Sequence, residues 1–214
     1  MAVMRKETIH KLNLHLGDCM EYMKSCKDNE FDLAIVDPPY GIGNWVQTTG
    51  NCNPSAEKVK WNDNTPTQEY FDELRRVSKE WICWGWNYYT EYLGSTNNIV
   101  FWDKHMGSTT YAAGELAGMS IKSQLKILDL PLLSQGTSRI HPCQKPVKLY
   151  QWLLTNYAEP NQKILDTHLG SGSSAIAAHY FGCDFTGIEI DEDYFNASLE
   201  RINEQTKQMD LLGG

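Results

Sequence analysis

Four consecutive residues, Asp37-Pro38-Pro39-Tyr40, put a carboxylate, two prolyl carbonyls and an aromatic ring directly after the apolar run FDLAIV. The run is short and bounded by turn residues, as expected of a strand covered on both faces. The prolines remove two backbone donors and fix two φ angles, so sheet pairing must stop there. What remains is a group of acceptors without a competing N–H, beside a flat ring. At the carboxyl end of a buried parallel strand, such a group lies where open α/β sheets bind ligands. Taken alone, the four residues also read as a Pro-rich turn with a solvated acid.

A second set of residues follows much later in the chain. ILDTHLGSGSSA holds Gly170, Gly172 and Ala175 in a G-x-G-x-x-A pattern, with Asp166 before it and Ser171 between the glycines. Glu189 closes the next strand-like run, DFTGIEI. The glycines let the backbone approach a bound nucleotide, and the acid accepts hydrogen bonds from ribose hydroxyls. The glycines alone also fit a tight strand-to-helix turn; strand, helix and acid together favour nucleotide binding.

These two loops need elements to position them. KLNLHLGD alternates as a strand, and a helix follows around CMEYMKSC. Thr65-Pro66-Thr67-Gln68 reads as a capping box with proline at the first helical position, starting the helix TQEYFDELRRVS. EWICWGW and NIVFWD read as strands around a short helix, NYYTEYLG, closed by Gly94. Residues 118–144 read mostly as loop. Pro146 opens an amphipathic helix with Val147, Tyr150, Leu154 and Tyr157 at helical spacing. The alternation predicts an α/β fold, a doubly wound and mostly parallel sheet in a single domain over residues 1–214. Both chemical loops then follow parallel strands and open on one crevice. Insertions at about 41–64 and 107–140 are the segments with room for recognition, since long loops in compact domains are usually functional.

The whole chain has a net charge of −8 and a sequence pI near 5.2, which argues against non-specific nucleic-acid binding by the entire surface. The distribution is uneven. Residues 101–150 hold six Lys/Arg against three Asp/Glu, whereas 151–214 hold three against ten. A polyanion would meet the chain through the middle segment, at Lys104, Lys122, Lys126 and Arg139, and this basic segment is expected to flank the cleft. Six cysteines without a C-x-x-C pair favour reduced thiols in a cytoplasm and no metal site. No secretory signal is visible and no apolar run reaches a membrane span.

Taken together, Asp37–Tyr40, RIHPCQKPVKLYQWLL and Asp166–Gly172 with Glu189 and Asp191 resemble the amino-group DNA methyltransferases that use S-adenosylmethionine. The resemblance runs from about Leu14 to Arg201, is weakest at 41–64 and 118–138, and has the motif order of the permuted (beta) group. It implies a methyltransferase fold with one reversed strand, double-stranded DNA as partner, and methylation of a flipped-out adenine at N6. Asp37 and the Pro38 carbonyl would hold the two N–H bonds of the amine, Pro39 would stiffen the turn, and Tyr40 would stack on the base. Glu189 would take the ribose and the Asp166–Gly172 loop the methionine part. Lys145 would meet the methionine carboxylate; Thr137, Ser138 and His141 are weaker candidates nearby. His168 departs from the family, where phenylalanine is common. Cytosine-N4 methylation uses the same fold, although serine more often holds the Asp37 position there. A dinucleotide-dependent oxidoreductase and a catalytically silent DNA-binding subunit are readings of other classes. A short target, a homodimer and a partner protein all remain open.

Overall fold

The strand of residues 31–36 is apolar apart from Asp32, which pairs with Lys79 near its start, because both its faces are covered. Leu33 and Ile35 enter one hydrophobic cluster and Ala34 and Val36 another, since successive side chains of a strand face opposite sides. The computed structural model describes residues 5–42, 65–106, 112–132, 140–141 and 143–210. Most of the expected insertions, with Thr137, Ser138 and Arg139, lie outside the described residues.

The described strands form one sheet. In spatial order they are β1 (Arg5–Ile9), β2 (Leu12–Leu16), β9 (Asp184–Glu189), β8 (Lys163–Asp166), β3 (Phe31–Val36), β4 (Ser78–Trp84), β6 (Gly114–Met119), β5 (Ile99–Asp103) and β7 (Lys126–Asp129). From β2 to β4 neighbouring strands are parallel. β6 runs against both β4 and β5, and β7 again lies parallel to β5. β6 is thus a reversed strand inside the sheet. The edge strand β1, antiparallel to β2, is a second.

Helices cover both faces. α1 (Cys19–Ser25), α2 (Gln68–Val77) and α3 (Thr90–Leu93) flank the cluster that holds Met23, Phe71, Leu74 and Tyr89. α4 (Val147–Tyr157), α5 (Ser173–Phe181) and α6 (Glu192–Asp210) close the opposite face with Leu149, Leu153, Ile176, Phe195 and Ile202. The apolar spacing of α2 makes the reason plain: Tyr70, Phe71, Leu74 and Val77 fall on one stripe and all are buried. Each contributes about 1.5–3 kcal/mol on burial.

Two sequence expectations change. The box at Thr65–Gln68 does not form: Thr67 is the cap residue and makes no side-chain cap bond. Gln68 instead donates to Asp72 one turn on, at 2.8 Å, so its amide is not available to close a box. Among the described residues the loop expected over 118–144 holds for the greater part, but it is interrupted by the end of β6 at Met119 and by β7. Glycines disguised β6, yet Gly118 is needed there. A Cβ on it would lie 2.4 Å from the Trp86 ring.

Candidate active site

The register brings the two predicted loops to one edge. Ala34 pairs with Leu165, Val36 with Cys83 and Asp166 with Gly187. Asp37, the turn after β4, the glycine loop and Glu189 therefore leave the sheet at the same height. Asp37 Oδ1 accepts the Tyr40 hydroxyl at 2.7 Å, and Oδ2 accepts Lys145 Nζ at 2.5 Å. The Pro38 and Pro39 carbonyl oxygens share the single proton of the buried Tyr89 hydroxyl, each 2.7 Å from its oxygen. A carbonyl oxygen has two lone pairs, so each keeps one for a further donor.

The Tyr40 ring packs against its neighbours. It stacks on Tyr88, with centroids 5.1 Å apart and planes inclined by 16°. Gly85 lies against it with φ +70°, a conformation that favours glycine, and a Cβ there would sit 2.3 Å from a ring carbon. Burial, Asp37 and Glu115 all push the Tyr40 hydroxyl well above its ordinary range, so it stays protonated and donates.

Behind Asp37 lies a line of alternating charge. Lys145 Nζ is 3.0 Å from Glu115 Oε2 and 3.2 Å from the Tyr40 oxygen, and Lys104 pairs with Glu115 from the other side. Only 4% of the Lys145 side chain is exposed. Burial opposes its charge, but Asp37 and Glu115 outweigh that and raise its pKa. Burial likewise opposes the Glu115 carboxylate, and Lys145 and Lys104 outweigh it in turn and hold it ionised. An ammonium has three donors, and here three oxygens take them. Lys145 thus spends its donors within the protein.

The glycine loop is braced from within. Asp166 is buried and accepts the Ser174 hydroxyl at 2.6 Å and the His168 backbone N–H at 3.0 Å. Burial raises its pKa to about 7. These two bonds shape the loop. Ser171 bonds Ser173 between hydroxyls at 3.1 Å, and its carbonyl accepts Arg201 at 2.6 Å. Glu189 accepts Gly170 N–H at 2.8 Å and Asp191 N–H at 3.0 Å. Burial pushes its carboxyl up. Gly170 has φ +52°, and a Cβ there would meet only the His141 ring, at 3.9 Å. This cradle beside a buried acid leaves room for a nucleotide-like cofactor, with Glu189 placed to accept from its ribose hydroxyls.

The other expected site residues are less direct. Asp191 caps α6, accepting the N–H groups of Asp193 and Tyr194. His141 sits edge-on to Tyr194 at 4.5 Å, and burial lowers its pKa to about 4. His168 Nδ1 is 2.9 Å from the Thr167 hydroxyl, which lies 2.6 Å from that of Tyr70. Burial lowers the His168 pKa to about 4, so the ring is neutral near pH 7.

The basic segment is divided. Lys104 reaches the crevice edge but is spent on Glu115 and lies over Trp102, 5.0 Å from the ring centroid. Lys122 and Lys126 sit at the opposite edge. β6 runs backwards, so the chain leaves Met119 beside Ile82, and Lys126 pairs with Val100 at the start of β5. Lys126 also donates to Asn156 at 2.9 Å and rests on Tyr157. The expectation that these two flank the cleft is therefore corrected by the direction of β6.

Comparison with known proteins bears on the family and the fold. A family model for N6/N4 DNA methylases matches residues 101–200. YubD of Escherichia coli (strain K12), whose name includes the word methylase, is 27% identical over 205 residues, 87% of this chain and 88% of its own. Type II methyltransferase M2.MboI of Moraxella bovis is 25% identical over 241 residues, covering 91% and 88%. The likeness is to amino-group DNA methyltransferases. Among solved structures, the M1.HpyAVI–SAM complex covers 90% of this chain and 99% of its own, with a TM-score of 0.62 and 18% identity. The cytosine-N4-specific PvuII DNA methyltransferase covers 94% and 93%, with a TM-score of 0.62 and 13% identity. These establish the fold of the S-adenosylmethionine-dependent methyltransferases.

Three contributors escaped sequence reasoning. Glu115 stands in a Gly/Ala-rich stretch, and its partners are remote in sequence. Tyr89 reads as an ordinary helix-flanking aromatic. Arg201 reaches back from α6 to the Ser171 carbonyl. None has a local signal, because each acts across the sheet or the helix layer.

Proposed function

We propose that this chain is a site-specific DNA methyltransferase that uses S-adenosylmethionine and methylates adenine at N6. The observation that carries the reading is the acceptor pair, Asp37 and the Tyr89-braced Pro38 carbonyl, on the same edge as the open Gly170 cradle and Glu189. When bound, S-adenosylmethionine supplies an electrophilic methyl group. An exocyclic amine is a poor nucleophile because its lone pair is delocalised into the ring. Two acceptors on its two N–H bonds favour the pyramidal nitrogen that attack requires, and they are fixed before the charge develops. Extruding a base costs a few kcal/mol; stacking on an aromatic ring such as that of Tyr40 returns about 1–3 kcal/mol.

The carboxylate at position 37 favours adenine, and the similarity to a cytosine-N4 enzyme makes that base the alternative product. An oxidoreductase gives Asp37–Tyr40 no role. Double-stranded DNA is the partner in this reading, in the cytoplasm, and a homodimer would supply a second set of recognition loops. Among the described residues no helix is long and apolar enough to cross a membrane and no metal cluster occurs. Tritium transfer from S-adenosylmethionine to duplex DNA tests the activity: retained label is expected, and none from a folded protein that binds S-adenosylmethionine contradicts it.

A further inference from the structure

The surroundings of Lys145 give it a task other than holding a ligand. Its ammonium touches Asp37 Oδ2 at 2.5 Å, Glu115 Oε2 at 3.0 Å and the Tyr40 oxygen at 3.2 Å. A ligand carboxylate would have to displace one of these in a site that is almost closed to water. Glu115 is fixed in turn. The neighbouring Leu116 carbonyl accepts Gly85 N–H at 2.9 Å, tying β6 to the turn that supports Tyr40. Lys104 pairs with the second Glu115 oxygen. The four charges alternate and sum to zero.

We propose that Lys145, held from behind by Glu115 and Lys104, positions the Asp37 carboxylate for the target amine; this rests on the methyltransferase reading above. Without Lys145, two carboxylates that now share a cation would repel and Asp37 would swing from the amine. Without Glu115, the whole ammonium charge would fall on Asp37 and draw down the oxygen that has to accept an N–H. Lys145 and Glu115 thus act through Asp37, as positioning residues. The reversed β6 acquires a purpose: its direction delivers Glu115 to the crevice edge.

The test uses the full chain with Lys145→Met, Glu115→Gln and the double variant. Turnover at saturating S-adenosylmethionine and DNA is compared with the cofactor Kd from calorimetry. Each single variant should lose tenfold or more in kcat while its Kd stays within threefold of the parent. The double variant should be no worse than the weaker single one within threefold, because residues acting through one group are non-additive. A tenfold weaker Kd for Lys145→Met with unchanged kcat would make Lys145 a cofactor contact and overturn the proposal. Unchanged kcat in Glu115→Gln would also overturn it. Should Lys145→Met fail to fold, the isosteric Glu115→Gln decides on the same two readouts. Calorimetry does not depend on turnover, so a parent that binds S-adenosylmethionine without methylating DNA counts against the function, while the Lys145→Met Kd still judges this proposal.

Discussion

Asp37 has two oxygens, and each already meets one donor, Tyr40 or Lys145. The amine must be accepted on the lone pairs left over, so the direction of the carboxylate matters as much as its charge. Asp37→Ala should cut turnover on the order of a hundredfold or more with cofactor affinity within several-fold, as when a transition-state partner is removed. Steady-state kinetics beside calorimetry measure both, and near-normal turnover in a folded variant would sink the assignment. Tyr89→Phe is a milder lesion, because it removes one hydroxyl from two carbonyls. Losing about 0.5–1.5 kcal/mol of orientation should lower kcat roughly three- to tenfold. A fall in cofactor affinity in place of kcat would remove Tyr89 from this role. His168 gives a pH prediction. Its folded pKa, about 4, is below the ordinary 6.5. The stability it contributes is therefore complete above pH 6.5 and lost as pH falls towards 4. His168→Phe should abolish that loss, about 2 kcal/mol by pH 5. Melting of both proteins at pH 7.5 and 5 reads the difference; a constant gap would mean that the ring protonates freely.

The elements that carry the site are strand ends and the turns after them. The turn after β4 is the tightest of these, with Gly85 packed under Tyr40. Gly85→Ala should displace that ring, weakening binding of DNA containing an unstacked base more than cofactor binding; equal losses would point to general disruption. Gly170→Val should do the reverse, since it fills the cradle beside Glu189 and leaves Tyr40 untouched. β3, β8 and β9 were legible because their apolar residues stop abruptly at the acids Asp37, Asp166 and Glu189. β6 was not legible: Gly114 and Gly118 erase its strand pattern, and the reason for Gly118 is the Trp86 ring above it. That one omission hid two further features. Glu115 could not be seen as a partner of Lys145, and Lys122 and Lys126 were expected on the wrong edge. Side-chain partnership across a sheet depends on strand order, which local periodicity does not encode.

At the scale of the molecule, an acidic protein has to hold an anionic polymer. The charges at the described crevice edge cancel among Asp37, Lys145, Glu115 and Lys104. Under the proposed function, phosphate contact would fall to exposed groups such as Lys148 in the first turn of α4 and, from its charge in the sequence, to Arg139. Replacing Lys122 and Lys126 together should leave DNA affinity within twofold and the salt dependence unchanged. Replacing Lys148 and Arg139 should weaken all duplexes alike and flatten the slope by roughly one to two. Salt titrations of the two pairs decide, and the opposite ranking would place the DNA on another face. The central claim, that the Asp37 acceptors and the Gly170 cradle serve one transfer to an adenine amine, has a more direct test. Duplex DNA incubated with the protein and S-adenosylmethionine can be digested to nucleosides and analysed by mass spectrometry. The account predicts N6-methyldeoxyadenosine, absent with Asp37→Ala; N4-methyldeoxycytidine alone, or no methylated nucleoside from a folded protein that binds the cofactor, would contradict it.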